Sequence, residues 1–378
     1  MLDMLIQNGH VVDPATHRNE ICDVAIHNGK IVDAAQYAQE GAAEVVDASG
    51  CYVTPGLIDF HAHLFTDGCE RGVYPESTYF PNGVTTAVDA GSAGVANYAS
   101  FYNWVATPSK VRMLSYLNVC SLGLGTVTYQ ENMDPKCFNK EKIAQYVEKY
   151  GDNIKALKLR QSKNIVGQFG LEPLRATRAL ADELHIPVVV HVTDSPGQVR
   201  DTLDLLRPGD IYCHIFHGKG NTALGPDGKI LPEILEARER GILFDAAHGG
   251  NQFCNRVARA AIDQGFLPDF ISSDISLKTM YRPPLFSMGM VMSKFLNFGI
   301  PLETLIEIVT VNAAKWLHLE GSAGTLAPGA CADVAILRLE DKAVRFDDSH
   351  GDQFTGTKVL KTEMTLREGL PVFRQLDF

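Results

Sequence analysis

Between residues 57 and 275 eight short apolar runs alternate with stretches of helical periodicity, and this alternation limits the fold more than any other feature. The runs fall at 57–63, 85–91, 111–119, 154–160, 187–192, 211–216, 242–247 and 270–275. Several are continuously apolar, as expected of strands buried on both faces. Segments 171–185, 231–240 and 256–264 carry apolar residues at helical spacing, and 302–319 reads as a further helix closing the series. Eight successive strand–helix units close more naturally into a (β/α)8 TIM barrel than into an open sheet. The expected class is α/β.

The two ends of the chain read differently. Short β-rich runs lie around Asn8-Gly9 and Asn28-Gly29, a hairpin signal, and again at 329–337 and 358–369. Each end is too short to hide a sheet face alone. Residues 1–53 and 324–378 are therefore expected to form one small β-sandwich domain, leaving 54–323 as the barrel.

Composition removes several classes. A net charge of −11 argues against nucleic acid as a partner, which would need a basic surface. No apolar run approaches the roughly 20 residues that span a bilayer, and the start lacks the basic stretch of a signal peptide. Eight scattered cysteines without a Cys-x-x-Cys pair suit reduced thiols and a cytoplasmic location; Cys213 and Cys331 read as packing residues.

In such barrels the chemistry sits at the C-terminal ends of the strands. His61 and His63 end the first expected strand, Lys158 the fourth, His191 the fifth, His214 the sixth and Asp274 the eighth. Alternate strand residues share a side, so both imidazoles of the His-x-His pair can face the barrel mouth. A single strand-end histidine is more often structural. Six ligands or ligand precursors at one rim argue for metal, and imidazole with carboxylate suits Zn²⁺ and similar ions.

The string Val53-Thr54-Pro55-Gly56-Leu57-Ile58-Asp59-Phe60-His61-Ala62-His63 resembles the amidohydrolase superfamily. So do Gly83-Val84-Thr85-Thr86, His191, His214, Ser272-Ser273-Asp274, Asn312-Ala313-Ala314-Lys315 and the Gly324 to Val334 stretch. Val88-Asp89-Ala90-Gly91-Ser92-Ala93-Gly94 and Phe244-Asp245-Ala246-Ala247-His248-Gly249 are similar to a bacterial group of deacetylases often named as dihydroorotase-like or adenine-deaminase-like.

The resemblance implies a binuclear metal centre of two divalent ions, with zinc the expected metal. One ion would be held by His61, His63 and Asp274, the other by His191 and His214. Lys158 would bridge them as a CO2-derived carbamate, since a free ammonium has no lone pair for a cation. Asp274 would be the catalytic proton carrier. Arg160, His217, Lys219 and His248 are candidates to hold a substrate carboxylate, with Tyr281 and Arg282 weaker ones. Ser276 stands where many relatives carry histidine, so substrate contacts known from dihydroorotases or hydantoinases do not transfer.

The implied function is hydrolysis of an amide or ester acyl bond. Deacetylation of a small N-acyl amino acid or O-acyl hydroxy acid leads; opening of a cyclic amide, deamination of a purine, and a non-catalytic role follow. The expected partner is a small molecule bearing a carboxylate. A homo-oligomer is left open.

Overall fold

The structure, a computed structural model, describes residues 1–37, 41–126 and 131–378. Its centre is a curled sheet of seven parallel strands in sequential order: Leu57–Ala62, Val84–Asp89, Arg112–Asn118, Ile154–Arg160, Val188–His191, Ile211–Cys213 and Leu243–Asp245. All seven lie within expected runs to within a residue or two at most boundaries. The eighth run, 270–275, is extended chain rather than a ladder-forming strand. It makes single parallel bridges to both sheet edges, Asp245 with Phe270 and Ala62 with Ile275. Ser272-Ser273-Asp274-Ile275-Ser276 is short and polar, and its backbone bonds are shared between the two edges instead of running along one neighbour.

Side chains on the sheet divide cleanly. Ile58, Phe60, Val88, Ala156, Val189, Ile211 and Cys213 form one cluster inside the curl, closed from beneath by Ala313, Ala314 and Leu317. Leu57, Leu157, Leu159, Val188, Val190 and Tyr212 face the other way, onto Leu174, Ile234 and Val257 of the outer helices. Those helices, Glu172–Leu184, Pro232–Glu239 and Asn255–Asp263, match the periodic segments. The expected helix over 302–319 is present as one continuous run, Leu302–Glu307, a π-helical turn Ile308–Asn312 and Ala313–Trp316.

Both chain ends build two further sheets, one of four strands and one of six. Asn28 and Gly29, both left-handed, turn Val24–His27 back on Lys30–Val32 as the Asn-Gly signal requires. Asn8-Gly9 is not a hairpin. It passes the chain from Leu2–Gln7 in the four-stranded sheet to His10–Asp13 in the six-stranded one. A Cβ on Gly9 would lie 2.4 Å from Val53, so this glycine serves close packing between the sheets. Strand Tyr52–Pro55 pairs with Val334–Asp347 and spans the expected 53/54 division. Gly56 then leads directly into the first parallel strand. Among the described residues no helix is long and apolar enough to cross a membrane, and all eight cysteines are free thiols.

Candidate metal centre and active site

Strand one carries the His-x-His pair, but simple alternation from Ile58 and Phe60 would send both histidines outward. A register irregularity between Asp59 and Ala62 reverses the faces, leaving Ala62 on the helix side. Asp59 holds the irregular segment. It accepts from the Ser273 amide (2.9 Å), the Ser273 hydroxyl and the Tyr79 hydroxyl (3.1 Å), fastening the end of strand one to the Asp274 segment. Burial raises its carboxyl to about 7.

His61, His63 and Asp274 then meet. Asp274 Oδ1 lies 3.2 Å from His63 Nε2 and 3.9 Å from His61 Nε2. Ligand atoms of these three residues all fall within 4.8 Å of one another, close enough for one ion. Lys158 Nζ lies 3.2 Å from His61 Nε2. The rings of His191 and His214 are 4.4 Å apart, and those of His61 and His214 5.4 Å. All six sequence-derived residues thus gather at one end of the curled sheet, and all six are buried. His214 and Asp274 have left-handed backbones, φ 63° and 50°; at His214 this re-aims a side chain that alternation from Cys213 would send outward.

Behind three of the four imidazoles stands a group that fixes its orientation. His61 Nδ1 lies 3.2 Å from Asp245 Oδ2, while Asp245 Oδ1 accepts from the Ser272 hydroxyl at 2.6 Å. His63 Nδ1 lies 3.0 Å from Ser92 Oγ, and His214 Nδ1 2.7 Å from the Ala247 carbonyl. Each contact leaves the opposite ring nitrogen facing inward, as metal-bound histidines require. His214 Nε2 is buried and has no hydrogen-bond partner among the described residues, an orphan that a cation would satisfy. Burial pushes the imidazoles down, His214 to about 3 and His61 and His191 well below the ordinary value, so their lone pairs are free at neutral pH. Burial alone would raise the Asp274 carboxyl. The hydrogen bond from His63, the largest of the influences that lower it, helps outweigh burial and keeps the group ionised.

Lys158 is buried and no carboxylate of the described residues forms an ion pair with it; its other close polar neighbour is Cys213 Sγ at 4.0 Å. This is a poor place for a plain ammonium. The donor set therefore fits a metal centre on three counts: clustered ligand atoms, an orphaned imidazole nitrogen and a buried lysine without an ion-pair partner among the described residues.

Two glycines are required by this packing. Gly91 (φ 82°) lies against Lys158, where a Cβ would come within 2.7 Å of Cγ. Gly249 (φ 59°) lies against Asp274, where a Cβ would come within 2.6 Å of Oδ2. Gly249→Ala should therefore lower kcat by at least about tenfold, because a left-handed alanine costs roughly 1–2 kcal/mol and also displaces the carboxylate. Steady-state kinetics beside a thermal melt check this; unchanged kcat would mean that the carboxylate tolerates the shift.

The cavity above the centre is lined by His61, His63, Lys158, His191 and Asp274, and farther out by Arg71, Arg160, Gln252, Ala90 and Leu124. Of the four residues suggested for substrate, Arg160 is on this wall. The other three are not among its lining residues. His248 is buried, stacked on Phe253 at 4.2 Å, with Nε2 2.6 Å from Lys294 Nζ. His217 is buried with its backbone bridged to Phe253, and Lys219 is exposed. Tyr281 and Arg282 are also exposed. The sequence reading missed Arg71 and Gln252. Both lie in loops, where no periodicity marks which way a side chain faces.

A curled parallel sheet with buried histidines, a lysine and an aspartate at one end is the arrangement of a metal-dependent hydrolase. The chain belongs to the amidohydrolase family, whose sequence profile matches residues 52–369. It is similar to a deacetylase of Brucella anthropi, 34% identical over 310 residues that cover 82% of this chain and 77% of that protein. Among solved structures it resembles an adenine deaminase (TM-score 0.90, 28% identity, 99% of this chain and 100% of the other). It also resembles a dihydroorotase (TM-score 0.89, 30% identity, 98% and 99%).

Proposed function

We propose that this protein hydrolyses an acyl amide or ester, and that its substrate is a small N-acyl amino acid or O-acyl hydroxy acid from which it releases the acyl group. The observation that carries this reading is the similarity to a deacetylase over most of both chains. The histidine cluster beside two arginines on one cavity wall supports it.

His61, His63 and Asp274 would hold one divalent ion and His191 and His214 a second, with Zn²⁺ matching the donors. Lys158, carboxylated by CO2, would lie between the two sets as a bidentate anion. When bound, such ions supply a nucleophile at neutral pH and polarise the acyl carbonyl. The rest of the work belongs to the chain. Asp274, ionised and on the cavity wall, accepts the proton of the attacking water and returns it to the departing nitrogen or oxygen. Asp245, Ser92 and the Ala247 carbonyl keep the imidazoles from turning. Ala90 and Leu124 exclude water from the acyl group.

A second reading, opening of a cyclic amide, is favoured by the similarity to a dihydroorotase structure at 30% identity. The two separate on a panel compared by kcat/KM: N-acetyl-D- and L-amino acids, acetylated hydroxy acids, dihydroorotate, hydantoins and adenine, with metal content determined in parallel. Acylated acids should lead by at least about tenfold, and their carboxamides should be poor substrates, because a site built for a charged group is left with an unpaired partner. Turnover of dihydroorotate or adenine far above every acylated acid would discard the deacylation reading.

A further inference from the structure

We propose that Arg71 is the residue that recognises the anionic group of the substrate, and that Arg160 is a structural cation. This rests on the acylated-acid reading above and assigns its specificity to one side chain.

Both arginines line the cavity, but their charges are not equally available. Arg160 Nη1 lies 2.5 Å from Glu131 Oε2, and that carboxylate is itself almost fully buried. An arginine committed to a buried carboxylate has little charge left to offer a ligand. Arg71 has no such neighbour. No carboxylate of the described residues forms an ion pair with it, and its Nε is buried without a hydrogen-bond partner among them. A desolvated guanidinium N–H lacking an acceptor is costly in the free protein and becomes satisfied when a carboxylate arrives. Asp274, the carboxylate on the cavity wall, is engaged by His63.

The loop that carries Arg71 is also fixed in place relative to the metal ligands. The Val73 amide donates to the His63 carbonyl at 2.9 Å, and the Leu277 amide donates to the Arg71 carbonyl at 3.0 Å. Gly72 is packed so tightly that a Cβ would lie 2.1 Å from the Phe65 carbonyl oxygen. Arg71 is therefore tied by backbone bonds to His63 on one side and to the segment that follows Asp274 on the other. A planar fork held this way selects a ligand carrying a carboxylate at a set distance from its scissile bond.

The test compares wild type, Arg71→Gln, Arg71→Lys and Arg160→Gln on N-acetylalanine and its carboxamide, using preparations of equal metal content. Arg71→Gln should lower kcat/KM for the acid by about 10²-fold, chiefly through KM, and change the carboxamide by less than about threefold. Arg71→Lys keeps the charge without the fork, and should fall between wild type and glutamine; it also stands in if the glutamine variant does not fold. Equal losses on acid and amide, or a selective loss with Arg160→Gln alone, would overturn the proposal. If wild type cleaves no acylated acid, the reaction assignment fails by itself. Calorimetric binding of N-acetylalanine then decides: binding to wild type and not to Arg71→Gln supports the clamp, and equal binding or none to either removes it.

Discussion

Lys158→Ala should lose nearly all turnover together with much of its bound metal, and short carboxylic acids with added metal should restore part of both. Lys158 lies on the interior face of its strand, in step with Ala156, so its stem reaches the end of the sheet where the histidines gather. Its Nζ is 3.2 Å from His61 Nε2 and forms no ion pair with a carboxylate of the described residues. Gly91 leaves room for its stem and for nothing larger. A side chain placed for bridging would be replaced in function by a small diffusible carboxylate, whereas a lysine needed only for packing would not. The expected loss of activity is at least about 10³-fold, in keeping with collapse of a site whose charge balance depends on one anion. Metal analysis, kcat/KM and a titration with acetate or propionate measure the effect. Full activity with a full metal complement would refute the bridging role.

Asp274→Asn should leave the fold and some metal binding intact, yet lower kcat by at least about 10²-fold, the usual effect of removing a general acid–base group. The amide keeps the shape and one oxygen of the carboxylate, and asparagine tolerates the left-handed backbone found here, φ 50°. What it loses is the capacity to take up a proton. The pH profile adds a second readout. With His63 holding the Asp274 carboxyl below its ordinary range, the acid limb should not come from an ordinary free carboxylate, and the variant should lose the dependence that Asp274 confers. A kcat within a few-fold of the parent would rule out the proton-carrying role.

The two predictions differ in what could have been foreseen. Lys158 and His191 sit on strand stretches that are regular from Ala156 and from Val188 onward, where a period of two fixes the side of each residue, and their convergence was legible once the strands were marked. The same rule applied to His61 and His63 gives the right relation between the two and the wrong face for both. The irregularity between Asp59 and Ala62 corrects it, and that irregularity depends on Asp59 bonding to Ser273, far away in the chain. His214 is re-aimed by left-handed backbone that hydrophobic pattern does not encode. The eighth run fails as a regular strand because its backbone partners are divided between two edges. His248 shows the opposite failure: its position after a strand suggested ligand binding, but Lys294, from a distant helix, and Phe253 claim its ring.

By itself, then, the sequence marked the α/β class, seven of its eight expected strands as parallel and consecutive, the sheets built from both ends, and six residues that the fold gathers at one end of the curled sheet. These depend on local periodicity and on the types of residue that end each strand. Only the tertiary structure decided which face the first histidines take, which nitrogen of each imidazole is held back by Asp245, Ser92 or Ala247, and which arginine is already neutralised. Those are contacts between segments distant in the chain. They arise when the curled sheet brings its two edges together, and local spacing carries no record of them.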